Sequence, residues 1–343
     1  MSIVIRSVGQ MAAYLPYSLG FYPHRSIVIS GQMGKELGMT ARQDIPPLED
    51  IDEQARHVVS VFARQGHDAV LLFGVADGPD PEPFLRSARQ RFCALGIGVS
   101  HTVLLDGRGG WRALQCACGG CPRTWTPLPD ISRNPAVAAA VLRGVAPMDS
   151  RAEVEAMLTP TDAALVDEVA GIAGGHPAPD FLEIGTAVRR LLHEDFARVE
   201  PSAPDLAVAS IGMQDIEVRD AVLSWVLPHE FTSALAGPAL HGLIAGLGPS
   251  PDVDGGFAGL DGHRTEGVEE RLAQWARSIP RELRPPVLAV LGTIAWLGGG
   301  GALGRTAVEQ ALDIDPDHRL AQMVCHALDT GVRPTPREDR RPA

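Results

Sequence analysis

A chain of 343 residues with 45% hydrophobic and 21% charged residues holds enough apolar material for one large core or two ordinary ones, which excludes wholesale disorder. Its net charge of −12 opposes general affinity for nucleic acid. No apolar run reaches the roughly 18–20 residues of a membrane helix, and the start lacks a secretory pattern, so no membrane association is expected and the cytosol is the expected location.

The first half reads as an α/β unit. Ser7 caps a short helix through Leu15, which Pro16 should end. Ser26 to Ser30 is a strand, Gly31 to Gly38 a loop, and Met39 to Ile45 a second strand paired with the first as a hairpin. Ile51, Ala55, Val58, Val59 and Phe62 then mark one face of a helix, closed at Gly66. The unbroken apolar run Ala69 to Val75 is a strand buried on both faces. Phe84, Leu85, Ala88, Phe92 and Leu95 mark the next helix. Val99 to Leu105 is another strand, and Trp111 to Cys116 adds an antiparallel edge. Strand, helix, strand in this order implies a parallel crossover, hence a small mixed sheet with helices packed on it.

From about residue 135 the pattern turns helical. Apolar positions at helix period fall in Ala136 to Leu142, Arg151 to Leu158, Asp162 to Ala173, Phe181 to Ala197 and Ile216 to Leu227. Gly246 to Gly267, rich in Gly, Pro and Asp, reads as an exposed loop. Leu291-Gly292, Ala311 and Pro316 fall at the spacing of a tetratricopeptide-like helical hairpin turning at Gly298 to Gly301, with a capping helix at Leu320, Val324 and Leu328. The expected organisation is an α/β domain over 1–130, an α-helical domain over 131–332 ending in that hairpin, and a disordered tail over 333–343.

Five blocks in order resemble one uncharacterised bacterial family. They are Leu15-Pro16-Tyr17-Ser18-Leu19-Gly20-Phe21-Tyr22-Pro23-His24-Arg25-Ser26, Asp44-Ile45-Pro46-Pro47, Cys121-Pro122 with Thr126-Pro127-Leu128, Val218-Arg219-Asp220-Ala221, and Pro286 to Ala321 with Trp296, Ala307, Glu309, Asp315 and Pro316. The chain is similar along nearly its whole length to the domain of unknown function 4192, a family widespread in actinobacteria. It departs at Tyr22, where His is common, and at the Cys-x-Cys-x-x-Cys spacing, where adjacent cysteines are usual. The resemblance implies a shared fold and brings no activity, cofactor or catalytic residue with it.

Two places stand out chemically. The opening block gathers Tyr14, Tyr17 and Tyr22 with Phe21, His24, Arg25 and Ser26 around bends at Gly20 and Pro23. Aromatic rings beside a cation suit a planar or anionic small ligand, and the competing reading is a packed turn with Tyr17 and Phe21 as plugs. Phe21 is expected buried, with Tyr17 and His24 partly exposed. Cys116, Cys118 and Cys121 are structural thiols, a labile disulfide or three ligands of a metal site. A tetrahedral site needs a fourth ligand and none follows nearby, because His101 arrives only by folding. No obligatory metal is therefore expected. Cys93 and Cys325 read as small buried hydrophobes.

The remaining polar signals read as structure. His193-Glu194-Asp195 and His229-Glu230 are solvated helix faces, and Arg219-Asp220 is an ion pair anchoring its helix. Gly34-Lys35 is followed by Glu36 and cannot be a phosphate loop. No nucleophile elbow or dinucleotide fingerprint occurs. The leading expectation is a non-catalytic protein binding a protein partner or a small ligand. The alternative is an enzyme of unrecognised type acting at the opening block.

Overall fold

Six apolar and β-branched runs pair into one sheet: β1 (Ser26–Met33), β2 (Glu36–Asp44), β3 (Ala69–Val75), β4 (Gly98–Leu105), β5 (Gly110–Cys116) and β6 (Thr126–Pro127), in the order β2-β1-β3-β4-β5-β6. The structure is a computed structural model and describes residues 5–142, 145–193, 199–227, 240–249 and 266–332. Contacts divide the chain into two units, one holding residues up to 151 together with 329–332, the other residues 152–328. The mixed sheet with helices and the helical region after it are both as expected. Helix α4 (Pro135–Leu142) stays with the sheet by packing on α1 (Val8–Leu19), so the first unit runs past residue 130.

Only β3 and β4 run parallel, joined through α3 (Glu82–Ala94), and every other neighbouring pair is antiparallel. Side chains alternate between two cores, as a pleated strand requires. On one face α1 brings Val8, Met11 and Leu15 against Val28, Phe73, Val103 and Trp111. On the other, α2 (Ile51–Arg64) and α3 bring Phe62, Phe84 and Phe92 against Ile27, Ile29, Val70 and Leu72. Phe62 and Phe92 meet edge to face at 6.0 Å, a favoured arrangement for aromatic pairs. The edge expected at β5 is covered by two residues of β6.

Two local expectations change. Ser7 caps α1 by accepting from the Gln10 N–H, but the helix runs through Pro16 and ends at Gly20, whose φ of 81° is the left-handed conformation that glycine adopts freely. Proline deprives one earlier carbonyl of its donor, and the buried apolar face of the helix outweighs that loss. The loop expected over Gly31 to Gly38 is instead strand on both sides of a turn at Gly34-Lys35. Gly31 and Gly38 make room for His67, which is 5% exposed. Its Nδ1 donates to the Phe62 carbonyl at 3.1 Å and its Nε2 accepts from the Met39 N–H at 3.2 Å.

In the helical unit α12 (Arg284–Gly298) is buried at every residue from Arg284 to Ala295. Trp275 of α11 (Glu266–Arg277) is fully buried and donates its indole N–H to Ser210 Oγ of α8 (Ala203–Gly212) at 2.8 Å, so its polar atom is satisfied in the core. Helices α12 and α13 (Gly301–Ile314) pack against each other across a turn at Gly299-Gly300, and α14 (Arg319–Asp329) follows. The neighbouring helices α5 (Arg151–Ala156), α6 (Ala163–Gly175), α7 (Phe181–Leu192), α9 (Ile216–Val226) and α10 (His241–Leu247) complete the described part. His193, read as part of a solvated face, is 6% exposed with its ring 6.4 Å from Trp225. Its companions Glu194 and Asp195, the pair His229-Glu230, most of the Gly246 to Gly267 segment and the tail from Arg333 lie outside the described residues.

A Cβ at Gly31 would overlap the His67 imidazole, which cannot retreat without breaking its two hydrogen bonds. Gly31→Ala should therefore destabilise the first unit by about 1–3 kcal/mol. Urea unfolding of the variant checks this, and an unchanged midpoint would show that the strands do not close on His67 as described.

Candidate functional site

The opening block lies at the carboxyl ends of the parallel pair β3 and β4, because β1 runs antiparallel to β3 and begins where β3 ends. Backbone bonds from Tyr22 N–H to the Met148 carbonyl and from Met148 N–H to the Gly20 carbonyl, both 2.9 Å, fix its bend. His24 Nδ1 meets Asp77 Oδ2 at 2.8 Å and its Nε2 meets the Asp149 carbonyl at 3.2 Å. The other carboxylate oxygen of Asp77 accepts from the Arg25 N–H at 2.7 Å. Arg25 sits at φ 44°, a left-handed value for a non-glycine residue, and its stem covers Gly78. Such strain is kept only where the surroundings over-determine it, and the Asp77 carboxylate does so here.

Ser26 Oγ donates to the His24 carbonyl at 2.5 Å and accepts from Arg42 Nε at 2.7 Å. Phe21 is 3% exposed beneath the Arg42 guanidinium, Tyr17 is half-buried and stacked on Tyr14, and Tyr22 and His24 are exposed. Burial, with Tyr17 and Asp149 adding to it, raises the Tyr22 phenol above its ordinary pKa. Tyr17, Phe21, His24, Arg25 and Ser26 thus belong to one corner. Asp77, through its carboxylate, and Asp149, through its backbone carbonyl, join it from segments distant in sequence and carry no local signal of their role.

The cysteines meet a partner that spacing alone did not supply. His101 on β4 pairs directly with Cys116 on β5. The register slips between Thr102 and Val103, leaving Leu114 as an extra residue. A bulge of this kind changes which side chains share a face. Beyond it Cys116, not Gln115, stands beside His101. Gly119, at φ 72°, then turns the chain, and the loop is pinned by Ala117 N–H to the Ser100 carbonyl at 3.0 Å and Ala113 N–H to the Pro122 carbonyl at 2.8 Å.

One donor atom from each of His101, Cys116, Cys118 and Cys121 lies within 4.8 Å of all the others. The Cys116–Cys118 and Cys118–Cys121 sulfur separations are 3.0 and 3.7 Å, and the thiols are free. His101 Nδ1 is buried without a hydrogen-bond partner. Hydrogen bonds from Cys118, then Cys121, bring the Cys116 thiol down to about 5, while burial and then the bonds with Cys116 and Cys118 push Cys121 up to about 12. Folding thus brings His101, distant in sequence, within reach of the three thiols. Cys93, read as a buried hydrophobe, is exposed on α3, and Cys325 is half-buried against the helical core.

In the helical unit Arg219 is 9% exposed and its Nη2 reaches Asp220 at 2.6 Å. The pair joins adjacent residues of α9, which the long guanidinium stem permits, and so ties no second helix. Arg219 and His318 line a cleft of about 480 Å3 with Met213, Ile216, Pro286 and Ile314 among its apolar wall.

Asp77 gives this geometry a measurable consequence. Burial favours its neutral form, but the bonds from the Arg25 N–H and His24 outweigh burial and hold its pKa below the ordinary carboxylate value. A carboxyl depressed in this way contributes stability above its unfolded pKa and loses it as pH falls through the folded one. Asp77→Asn should cost about 1–3 kcal/mol near neutral pH and flatten the acid limb of the stability curve. Urea unfolding across an acid pH series reads both, and an unaltered limb would contradict the assignment.

No curated protein and no solved structure matches the chain. One family model does, over residues 9–335, and it carries blocks from both units. The chain belongs to that family, the domain of unknown function DUF4192.

Proposed function

We propose that the chain is a non-catalytic protein of the bacterial cytosol that binds a small planar or anionic ligand at the opening block. The observation that carries the reading is the occupancy of the corner's reactive groups. Both ring nitrogens of His24 are engaged, one by the Asp77 carboxylate and one by the Asp149 carbonyl. The Ser26 hydroxyl is held between the His24 carbonyl and Arg42. Neither is left as a base or a nucleophile. What faces solvent is Tyr22, 42% exposed, with Arg25 and part of Tyr17. Rings and a guanidinium recognise flat and negatively charged groups by stacking and ion pairing.

Two observations favour other readings. The Asp77–His24 contact favours an enzyme at the same corner, which requires Nε2 to leave the Asp149 carbonyl, where it can only donate, before it can act as a base. The cleft beside Ile216, which is 55% exposed, favours a protein partner on the helical unit, where the α12–α13 hairpin would serve as a tetratricopeptide-like wall.

Calorimetric titration with AMP, benzoate and inorganic phosphate separates these readings. The planar anions should bind saturably at millimolar concentration or below, and Tyr17→Ala and Arg25→Ala should each weaken them by about tenfold, a loss of about 1.4 kcal/mol. The thermal midpoint should move little, since Arg25 is exposed and Tyr17 is only half-buried. No binding of any probe, or binding indifferent to both substitutions, would contradict the reading. A drop in stability of about 2–4 kcal/mol in Tyr17→Ala would mark the ring as a packed plug instead.

A further inference from the structure

We propose that His101, Cys116, Cys118 and Cys121 bind a zinc ion that locks the end of β4 to the loop leaving β5. Three sulfurs and one imidazole nitrogen are a donor set that takes zinc in tetrahedral sites. With zinc–sulfur bonds of about 2.3 Å, the edges of such a tetrahedron are about 3.8 Å. The Cys118–Cys121 separation of 3.7 Å already matches, and the 3.0 Å between Cys116 and Cys118 opens to it by a small thiol rotation.

Three independent features make this a built site rather than a chance gathering of thiols. The first is register. Leu105 and Val103 meet Trp111 and Ala113 on one buried face, and the bulge at Leu114 then sets Cys116, rather than Gln115, directly beside His101. The second is the loop. Its two ends are held by backbone bonds to Ser100 and Pro122, and Gly119 supplies the left-handed turn that returns Cys121 to the cluster. The third is His101 itself. One of its ring nitrogens lies within 4.8 Å of all three sulfurs, and its buried Nδ1 has no hydrogen-bond partner, which costs free energy.

Four protein ligands close the coordination sphere, so the ion has no open position for water or substrate. Its role is structural. Binding releases the protons of the thiols that become thiolates, so acid competes with the metal and affinity falls as pH is lowered. The β6 strand and the Arg112–Trp125 contact at 5.3 Å follow the loop directly, and their placement depends on the same lock.

The test uses the full chain expressed in zinc-supplemented medium and purified under reducing conditions. Elemental analysis should find one zinc per chain. Cobalt exchanged into the site should show the visible bands and sulfur charge-transfer absorption of a tetrahedral thiolate complex. Cys118→Ser alters an exposed residue that no core depends on, and should lower zinc content to less than about one tenth per chain. His101→Ala should weaken zinc by about tenfold or more while cobalt absorption shifts towards fewer ligands. Cys93→Ser should change neither reading. Metal content well below one per chain in the unaltered protein, or content that survives both Cys118→Ser and His101→Ala, would overturn the proposal. So would a disulfide between two of the three cysteines that forms in place of metal under those conditions. Ligand binding at the opening block involves none of these residues, so either proposal can fail alone.

Discussion

The register of β5 against β4 is the constraint from which the chemistry of the first unit follows. A strand shows alternate residues to alternate faces, so one extra residue exchanges the faces of everything beyond it. Leu114 is that residue. Before it, Trp111 enters the core beneath α1 with Val103 and Leu105, and the buried Ala113 pairs with Val103. After it, Cys116 rejoins the face of His101. In β4 Ser100 plays the same part against β3, where pairing passes from Val70↔Val99 to Leu71↔His101. His101 is thus aimed by two bulges, one on each side of its strand. A continuous ladder would have set His101 beside Gln115 and turned Cys116 to the opposite face.

This explains what sequence reasoning could and could not see. The thiol spacing was legible, and so was a strand at each of β4 and β5. The approach of His101 to the thiols was not, since it depends on parity across two strands and no local signal marks Leu114 as the extra residue. The bend at Gly20 and Pro23 was legible because those residues have few backbone choices. Asp77 and Asp149 were not, because they approach His24 from separate segments. The strand ends beyond Gly31 and before Met39 were misread as loop, since glycine usually weakens strands. Here the glycines admit a buried imidazole. Proline at position 16 misled in the same way, where a well-packed helix overrode a breaker.

The helical unit was legible as a class more than in its parts. Long amphipathic runs such as Phe181 onward announce themselves, whereas α8 and α11 lie beside polar or glycine-rich stretches that obscure their ends. The buried α12 has no polar face for periodicity to find, as a helix surrounded by others need not. Family membership spans both units. Within the sheet unit, the aromatic corner and the thiol cluster hold different residues. One presents rings and a guanidinium to solvent, and the other turns its donors inward on one another.

The measurement that reaches the centre of this account is zinc-edge X-ray absorption on the purified protein. Register and bulge together predict three sulfurs at about 2.3 Å and one nitrogen at about 2.0 Å, with the nitrogen replaced in His101→Ala and the sulfurs kept. A shell dominated by oxygen or nitrogen, or one unchanged by His101→Ala, would mean that β4 and β5 do not bring His101 and the cysteines to a common metal.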